Sequence, residues 1–209
     1  MKRLQLGVLA SGRGSNFESI LKAIEEGRLL ADARVLLSNR KSAGALEVAA
    51  RHGVPALALS RKEFESDEAF DREIIRIFAQ HGVNFVVLAG YLRLLTPALV
   101  HEFPNRILNI HPALLPAFGG KGMYGHHVHE AVLAHGCKVS GVTVHLVNEH
   151  YDAGPIVLQR CVPVAEGDTP EQLAARVLEQ EHRVFAEALQ LFAEERVFVE
   201  GRRVYVREK

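Results

Sequence analysis

The chain has little of what would place it outside a reducing, aqueous compartment. Cysteine is scarce: Cys137 and Cys161 are the only two in 209 residues. They lack metal-ligand spacing and are too few for a disulfide framework, which fits a cytoplasmic setting. Net charge is absent, with 25 Lys and Arg against 25 Asp and Glu. That removes the electrostatic ground for a polyanionic partner such as nucleic acid. No apolar run approaches the roughly 20 residues a membrane helix needs. The run after Lys2 and Arg3 stops at Ser11, so it reads as a strand rather than a signal peptide. Repeats, low-complexity tracts and Pro/Gly-rich linkers are missing too. The 209 residues therefore read as a single domain. Its 48% hydrophobic and 24% charged content suits a globular chain of enzyme size.

What is present is a strand-helix alternation. Residues 4–10 form a short apolar strand. Ser11-Gly12-Arg13-Gly14-Ser15-Asn16 follows, and then Phe17, Ile20, Leu21 and Ile24 fall at helical spacing. A strand, a glycine-rich turn and a helix start make an anion site, because glycines admit close approach and free N–H groups point at the ligand. A dinucleotide fingerprint would need a third glycine where Phe17 stands, and a P-loop would end in Gly-Lys-Ser/Thr. A monophosphate ester fits better. Ser15 and Glu18 also match a capping box. Helices over 43–52 and around Phe70, Ile74, Ile77 and Phe78 alternate with strands at 56–59 and 83–89. This order predicts an α/β fold with a Rossmann-like, doubly wound sheet, parallel in its N-terminal half. Strands at 139–147 and 156–164, joined by a loop, are most simply antiparallel, so the sheet turns mixed in its C-terminal part. A capped helix from Thr169 to about residue 193 and a hairpin around Glu200-Gly201 close the chain.

The stretch Asn109-Ile110-His111-Pro112 organises the rest. Alternation along a strand puts Asn109 and His111 on one face, and Pro112 ends the pairing. An amide and an imidazole then stand together where open α/β sheets place their ligands. They could equally serve only backbone groups. Asp152, before Ala153-Gly154-Pro155, reads alone as a turn former. Glu181 falls on the apolar stripe of the last helix. It needs either hydroxyl donors at a cleft edge or pairing with Arg176 or Arg183. Leu92, Arg93, Leu94 and Leu95 leave the central strand; they could line a slot for a flat ligand or pack under the next helix, and on spacing alone packing is favoured. His126, His127 and His129 lack a carboxylate or cysteine at ligand spacing, so no metal site is expected.

Asn109-Ile110-His111-Pro112-Ala113-Leu114-Leu115-Pro116 and Asp152-Ala153-Gly154-Pro155 together resemble the core of the folate-dependent formyltransferases. The likeness runs from residue 4 to about 192. The 11–16 loop and Gln180-Glu181-His182 are most similar to the branch whose acceptor is phosphoribosylglycinamide. The resemblance implies formyl transfer from the co-substrate 10-formyltetrahydrofolate to the amine of that ribonucleotide, a step of purine synthesis, with no metal. It implies catalytic roles for Asn109, His111 and Asp152; an Asp152 close to His111 would, by its charge, raise the imidazole's pKa and keep it charged. Gly14, Ser15, Asn16, Leu178, Glu179, Gln180 and Glu181 would hold the ribonucleotide. Leu92, Arg93, Leu94, Leu95, Asn109, Asn148, Glu149, His150, Tyr151 and Asp152 would hold the folate. Residues 1–105 would form the phosphate-binding half and 106–209 the folate and catalytic half. The partners would be small molecules, with neither nucleic acid nor membrane, and the chain would act alone or as a homodimer. Two departures stand out. Asp67 occupies a position where the family often has an Arg that contacts the folate's acidic tail, and the 118–127 loop is longer than in some relatives. The alternatives are a branch that formylates methionyl-tRNA, which usually carries a further C-terminal RNA-binding domain, and a non-catalytic sensor of a phosphorylated ligand.

Overall fold

The computed structural model describes residues 1–208. In chain order its elements are β1 (Leu4–Ala10), α1 (Ser15–Glu25), β2 (Ala31–Ser38), α2 (Gly44–Arg51), β3 (Ala56–Ala58), α3 (Asp67–Gln80), β4 (Phe85–Leu88), α4 (Pro97–Glu102) and β5 (Ile107–His111). There follow α5 (His126–Ala134), β6 (Val139–Leu146), β7 (Ile156–Pro163), α6 (Pro170–Ala193), and a hairpin of β8 (Val197–Glu200) and β9 (Arg203–Val206). Seven strands form one sheet in the order β3-β2-β1-β4-β5-β6-β7. The first five strands pair in parallel, while β6 and β7 run antiparallel to their neighbours. The expected α/β sheet, parallel and then mixed, is what the chain forms.

The sheet is covered on both sides, which is why its central strands carry almost no polar side chains. One face packs Phe17, Ile20 and Leu21 of α1 against Val184, Phe185 and Leu189 of α6. The other packs Phe70, Ile74 and Phe78 of α3 against Leu99 of α4 and Phe103. Each of these large side chains contributes on the order of 2 kcal/mol by leaving water. α6 starts as its sequence predicts. Thr169 Oγ1 accepts the Gln172 N–H at 3.3 Å, and the Gln172 side chain accepts the Thr169 N–H at 2.8 Å.

The capping box expected at Ser15 and Glu18 does not form. Gly14 is the cap residue, in the left-handed region at φ +88°, and Ser15 is already helical. Glu18 instead accepts from Arg51 at 3.1 Å. Strand order reverses between β1 and β4: the chain winds outward through β2 and β3, returns to β4, and continues to β5 on the other side. The loops leaving β1 and β4 therefore part at one point, where a doubly wound sheet opens a crevice. Among the described residues no helix is long and apolar enough to cross a membrane.

Candidate active site

A cleft of about 900 Å³ opens over the C-terminal ends of β1, β4 and β5. At one end lie Gly12, Arg13, Ser15 and Asn16. Gly14 shapes this loop from behind. A Cβ there would lie 2.6 Å from the Ala45 Cα, so the positive φ and the close approach of α2 both require glycine. The turn leads straight into α1, whose first N–H groups have no carbonyl partners of their own, the arrangement that holds an anion.

Asn16 also reaches across the cleft. Its Nδ2 donates to Glu181 Oε2 at 2.6 Å, joining the first helix to the last. Glu181 is 8% exposed. Burial pushes its carboxyl pKa up, and the Asn16 hydrogen bond opposes that shift. Neither expected arginine is its partner: Arg176 pairs with Asp168 at 2.7 Å. Leu178 and Glu181, three apart on one helix face, both line the cleft, whereas Glu179 and Gln180 do not.

The other end is built by sheet register. β5 and β6 pair so that Asn109 stands opposite His145 and His111 opposite Thr143. Opposed residues share a face. Asn109 Nδ2 therefore meets His145 Nε2 at 3.0 Å and lies 3.5 Å from Asp152 Oδ1. The His145 Nδ1–H donates to the Leu146 carbonyl at 2.8 Å, which leaves Nε2 as the acceptor for the Asn109 amide. His111 uses its Nε2–H on the Phe118 carbonyl at 2.8 Å. Its Nδ1 is left 3.6 Å from Asp152 Oδ2. Asp152 itself sits in the left-handed region at φ +51° and accepts the Gly120 N–H at 2.9 Å. It is a turn residue and a member of the cluster at once. Behind the cluster, Thr143 Oγ1 donates to the Ala113 carbonyl at 2.6 Å and accepts the Leu115 N–H at 3.0 Å, bracing the turn after β5.

Electrostatics correct one expectation. Asp152 does not keep His111 charged. Burial drives the His111 pKa down and outweighs the upward pull of Asp152 and the Phe118 hydrogen bond, so the imidazole is shifted toward its neutral form. Burial also raises Asp152, but the two imidazoles beside it, His145 and His111, and the Gly120 N–H prevail and hold it below the usual carboxylate range. A carboxylate beside a neutral imidazole with one free nitrogen can accept and pass on a proton.

The wall between the two ends comes from residues 90–95. Packing was expected there, and it holds only for Tyr91 and Leu95, which are buried. Leu92 and Leu94 are 38% and 40% exposed and line the cleft with Arg93. Asp67 accepts from Arg61 Nε at 2.6 Å and pairs with Arg93, whose guanidinium lies over the Phe70 ring. Asn148, His150 and Tyr151 also line the cleft, while Glu149 pairs with His101 at 2.9 Å. The loop after β5 contributes Gly120, Lys121 and Tyr124. Among the described residues no group of three His, Cys, Asp or Glu is placed to hold a metal ion. His126 lies 3.3 Å from Glu130 and 3.5 Å from Glu171.

His145 was not singled out from the sequence. Its signal was the alternation of Thr143, His145 and Val147 against Val142, Val144 and Leu146, which marks a face without saying what it meets.

A phosphate-type loop and an acid–base cluster on one Rossmann-like cleft are the marks of a group-transfer enzyme acting on a phosphorylated small molecule. The chain belongs to the formyl transferase family, whose model matches residues 4–189. It is similar to the chloroplastic phosphoribosylglycinamide formyltransferase of Arabidopsis thaliana, with 47% identity over 197 residues, 94% of this chain and 68% of the plant protein. The phosphoribosylglycinamide formyltransferase of Escherichia coli strain K12 is 38% identical over 93% of this chain and 89% of its own length. Among solved structures, glycinamide ribonucleotide transformylase 1 from Symbiobacterium toebii superposes with a TM-score of 0.94 at 46% identity, covering 99% of this chain and 95% of that one.

Proposed function

We propose that this chain transfers the formyl group of 10-formyltetrahydrofolate to the amine of 5'-phosphoribosylglycinamide, as a step of purine biosynthesis. The observation that carries the reading is the shared cleft: the anion loop at Gly12 to Asn16 and the cluster of Asn109, His111 and Asp152 open into one space. Gly14, Ser15 and Asn16 hold the phosphate, and the stretch Leu178, Glu179, Gln180 and Glu181 holds the ribose through its cleft-facing residues. The folate lies along Leu92, Arg93, Leu94 and Leu95 and against Asn148, His150 and Tyr151, the cleft-facing members of the 148–151 stretch. Residues 1–105 thus supply the phosphate loop and one wall for the folate, and residues 106–209 the chemistry, the rest of the folate contacts and the ribose contacts.

The amine nitrogen attacks the formyl carbon, a C–N bond forms, and the carbonyl electrons move onto oxygen. Asn109 spends one amide hydrogen on His145 and holds the other only at 3.5 Å from Asp152. That second hydrogen is free to meet the oxyanion, worth about 3 kcal/mol per donor. The proton lost by the attacking nitrogen goes to His111 Nδ1, where the charged ring is stabilised by Asp152 and adds a second donor to the oxyanion. From there it passes to the folate nitrogen as the old C–N bond breaks and the carbonyl re-forms. No metal enters these steps, and no covalent enzyme intermediate is needed. The protein works in the cytoplasm on small molecules, without nucleic acid or membrane, alone or as a homodimer.

The test is a spectrophotometric turnover assay with glycinamide ribonucleotide and 10-formyltetrahydrofolate, product identity being checked by mass. Formylated ribonucleotide should appear only with both substrates. Folate deformylation without ribonucleotide consumption would keep the transfer site and change the acceptor. Failure of both substrates to bind would overturn the reading.

A further inference from the structure

The cleft wall at residues 90–95 belongs to no helix or strand, so no ladder satisfies its main chain. It is held at two points. At the near end, the Ser11 N–H donates to the Gly90 carbonyl at 3.1 Å, and Ser11 Oγ accepts the Leu92 N–H at 3.1 Å. At the far end, the Thr96 N–H donates to Asp71 Oδ2 at 2.7 Å. Between these anchors the N–H groups of Arg93, Leu94 and Leu95 make no hydrogen bond among the described residues. Buried backbone donors are rarely left without a partner, so three of them left unpaired in residues that line a cleft are available to a polar ligand edge.

Asp71 is an expensive anchor. It lies on the buried stripe of α3 beside Phe70 and Ile74, only 3% exposed. Burial pushes its carboxyl pKa up, against the pull of Thr96 and the Arg93 charge. An acceptor kept in such a place needs its donor, because a buried polar group left without a partner is costly, and the Thr96 N–H supplies it. Neither Asp71 nor Ser11 lines the cleft. Both act on it only through the main chain of the wall.

We infer that Asp71 and Ser11 are positioning residues for the folate: from behind the wall they set the 90–95 main chain so that its free amides face the heterocycle. The inference rests on the formyl-transfer reading. The ribonucleotide end is held separately, through Gly14, Asn16 and Glu181, so loss of either anchor should be felt by one substrate only.

The experiment compares Asp71→Ala, Asp71→Asn and Ser11→Ala with wild type in steady-state assays, and in calorimetric titrations with tetrahydrofolate. Asp71→Ala should raise the KM for 10-formyltetrahydrofolate and the Kd for tetrahydrofolate about tenfold, and Ser11→Ala about threefold. The ribonucleotide KM should move by less than about twofold, and kcat at saturating folate by less than about threefold. Asp71→Asn should recover most of the loss, because its amide oxygen can still accept the Thr96 N–H. If Asp71→Ala does not fold, the Ser11→Ala and Asp71→Asn variants still decide the matter. Wild-type protein that binds no tetrahydrofolate overturns the formyl-transfer reading and this inference with it. Wild-type protein that does bind, with variants that lose both substrates equally or lose only thermal stability, overturns the inference alone.

Discussion

The two ends of the cleft are made from different materials. At the end proposed to hold the phosphate, the groups on offer are main-chain amides, and the requirement on side chains is mostly that one be missing, at Gly14. At the other end, four side chains from β5, β6 and the 147–155 loop converge within 3.0–3.6 Å of one another. The first can be specified within six consecutive residues. The second exists only once β5 and β6 have paired in a particular register, since a slip of one residue would turn Asn109 and His145 to opposite faces. On the proposed reading, anion recognition would be a largely local property of the chain, and proton transfer a tertiary one.

The largest expected effect tests whether the ends are separable. Asp152→Asn should lower kcat by about 10²- to 10⁴-fold, the usual worth of an acid–base group, with both KM values within about threefold. The pH profile adds a sign. Asp152 is what pulls the His111 pKa upward against burial. Removing its charge should therefore move the acid limb of kcat/KM, already below the ordinary 6.5 of histidine, to still lower pH. A ribonucleotide KM that rises as far as kcat falls would mean that the two ends form one unit.

A second contrast lies between two buried imidazoles. His111 faces a carboxylate, whereas His129, on α5, has a buried Nδ1 with no hydrogen-bond partner. Burial, reinforced by the charges of His126 and His111, drives the His129 pKa from 6.5 down to about 4. The folded protein thus keeps His129 neutral where the unfolded chain would protonate it. Its contribution is complete above pH 6.5 and is lost as pH falls toward 4, amounting to about 3 kcal/mol. Denaturant melts of wild type and His129→Gln at pH 7 and pH 4 check this: the difference between them should shift in favour of the variant by that amount at the lower pH.

Gly14→Ala probes the main-chain end directly. The substitution places a Cβ against Ala45 at a positive φ. The left-handed conformation costs about 1–2 kcal/mol and the overpacking about 1–3 kcal/mol. Stability should fall by about 2–5 kcal/mol, and the ribonucleotide KM should rise about tenfold while the folate KM holds. A thermal melt and paired KM measurements separate the two effects. An equal rise in folate KM would dissolve the distinction between the ends.

The same distinction explains what could be read from the chain before it folded. The strands and helices were legible because burial writes its period into apolar spacing: residues 4–10 form β1, and Thr169 with Gln172 caps α6. The turn after β1 was legible because strand, glycine-rich turn and helix follow one another directly in sequence. Glu181 could be seen to need a partner, but that partner, Asn16, is 165 residues away, and no local pattern ranks it above Arg176. The cap at Ser15 was misread because Gly14 takes the cap position in a conformation that only the packing against Ala45 demands. His145 stayed hidden because its meaning depends on register, and the charge state of His111 because it depends on burial. The family resemblance bridged part of that gap for Asn109, His111 and Asp152, which come from distant segments.

The smallest effect bears on the hidden member. His145 touches Asn109 and the Leu146 carbonyl, and its role is to hold the amide so that one hydrogen remains for the substrate. His145→Phe keeps a ring in the space and removes the acceptor. With nothing to claim its first hydrogen, the Asn109 amide can rotate toward Asp152, and the donor for the oxyanion is no longer fixed. One such hydrogen bond is worth about 1.4 kcal/mol, so kcat should fall about tenfold with both KM values unchanged. Since Asn109 is the direct donor, Asn109→Ala should cost more, and the double variant should cost little beyond Asn109→Ala alone if His145 acts only through it. Additive losses in that cycle would show that His145 acts on the reaction by a path of its own, most directly through Asp152, 3.6 Å away.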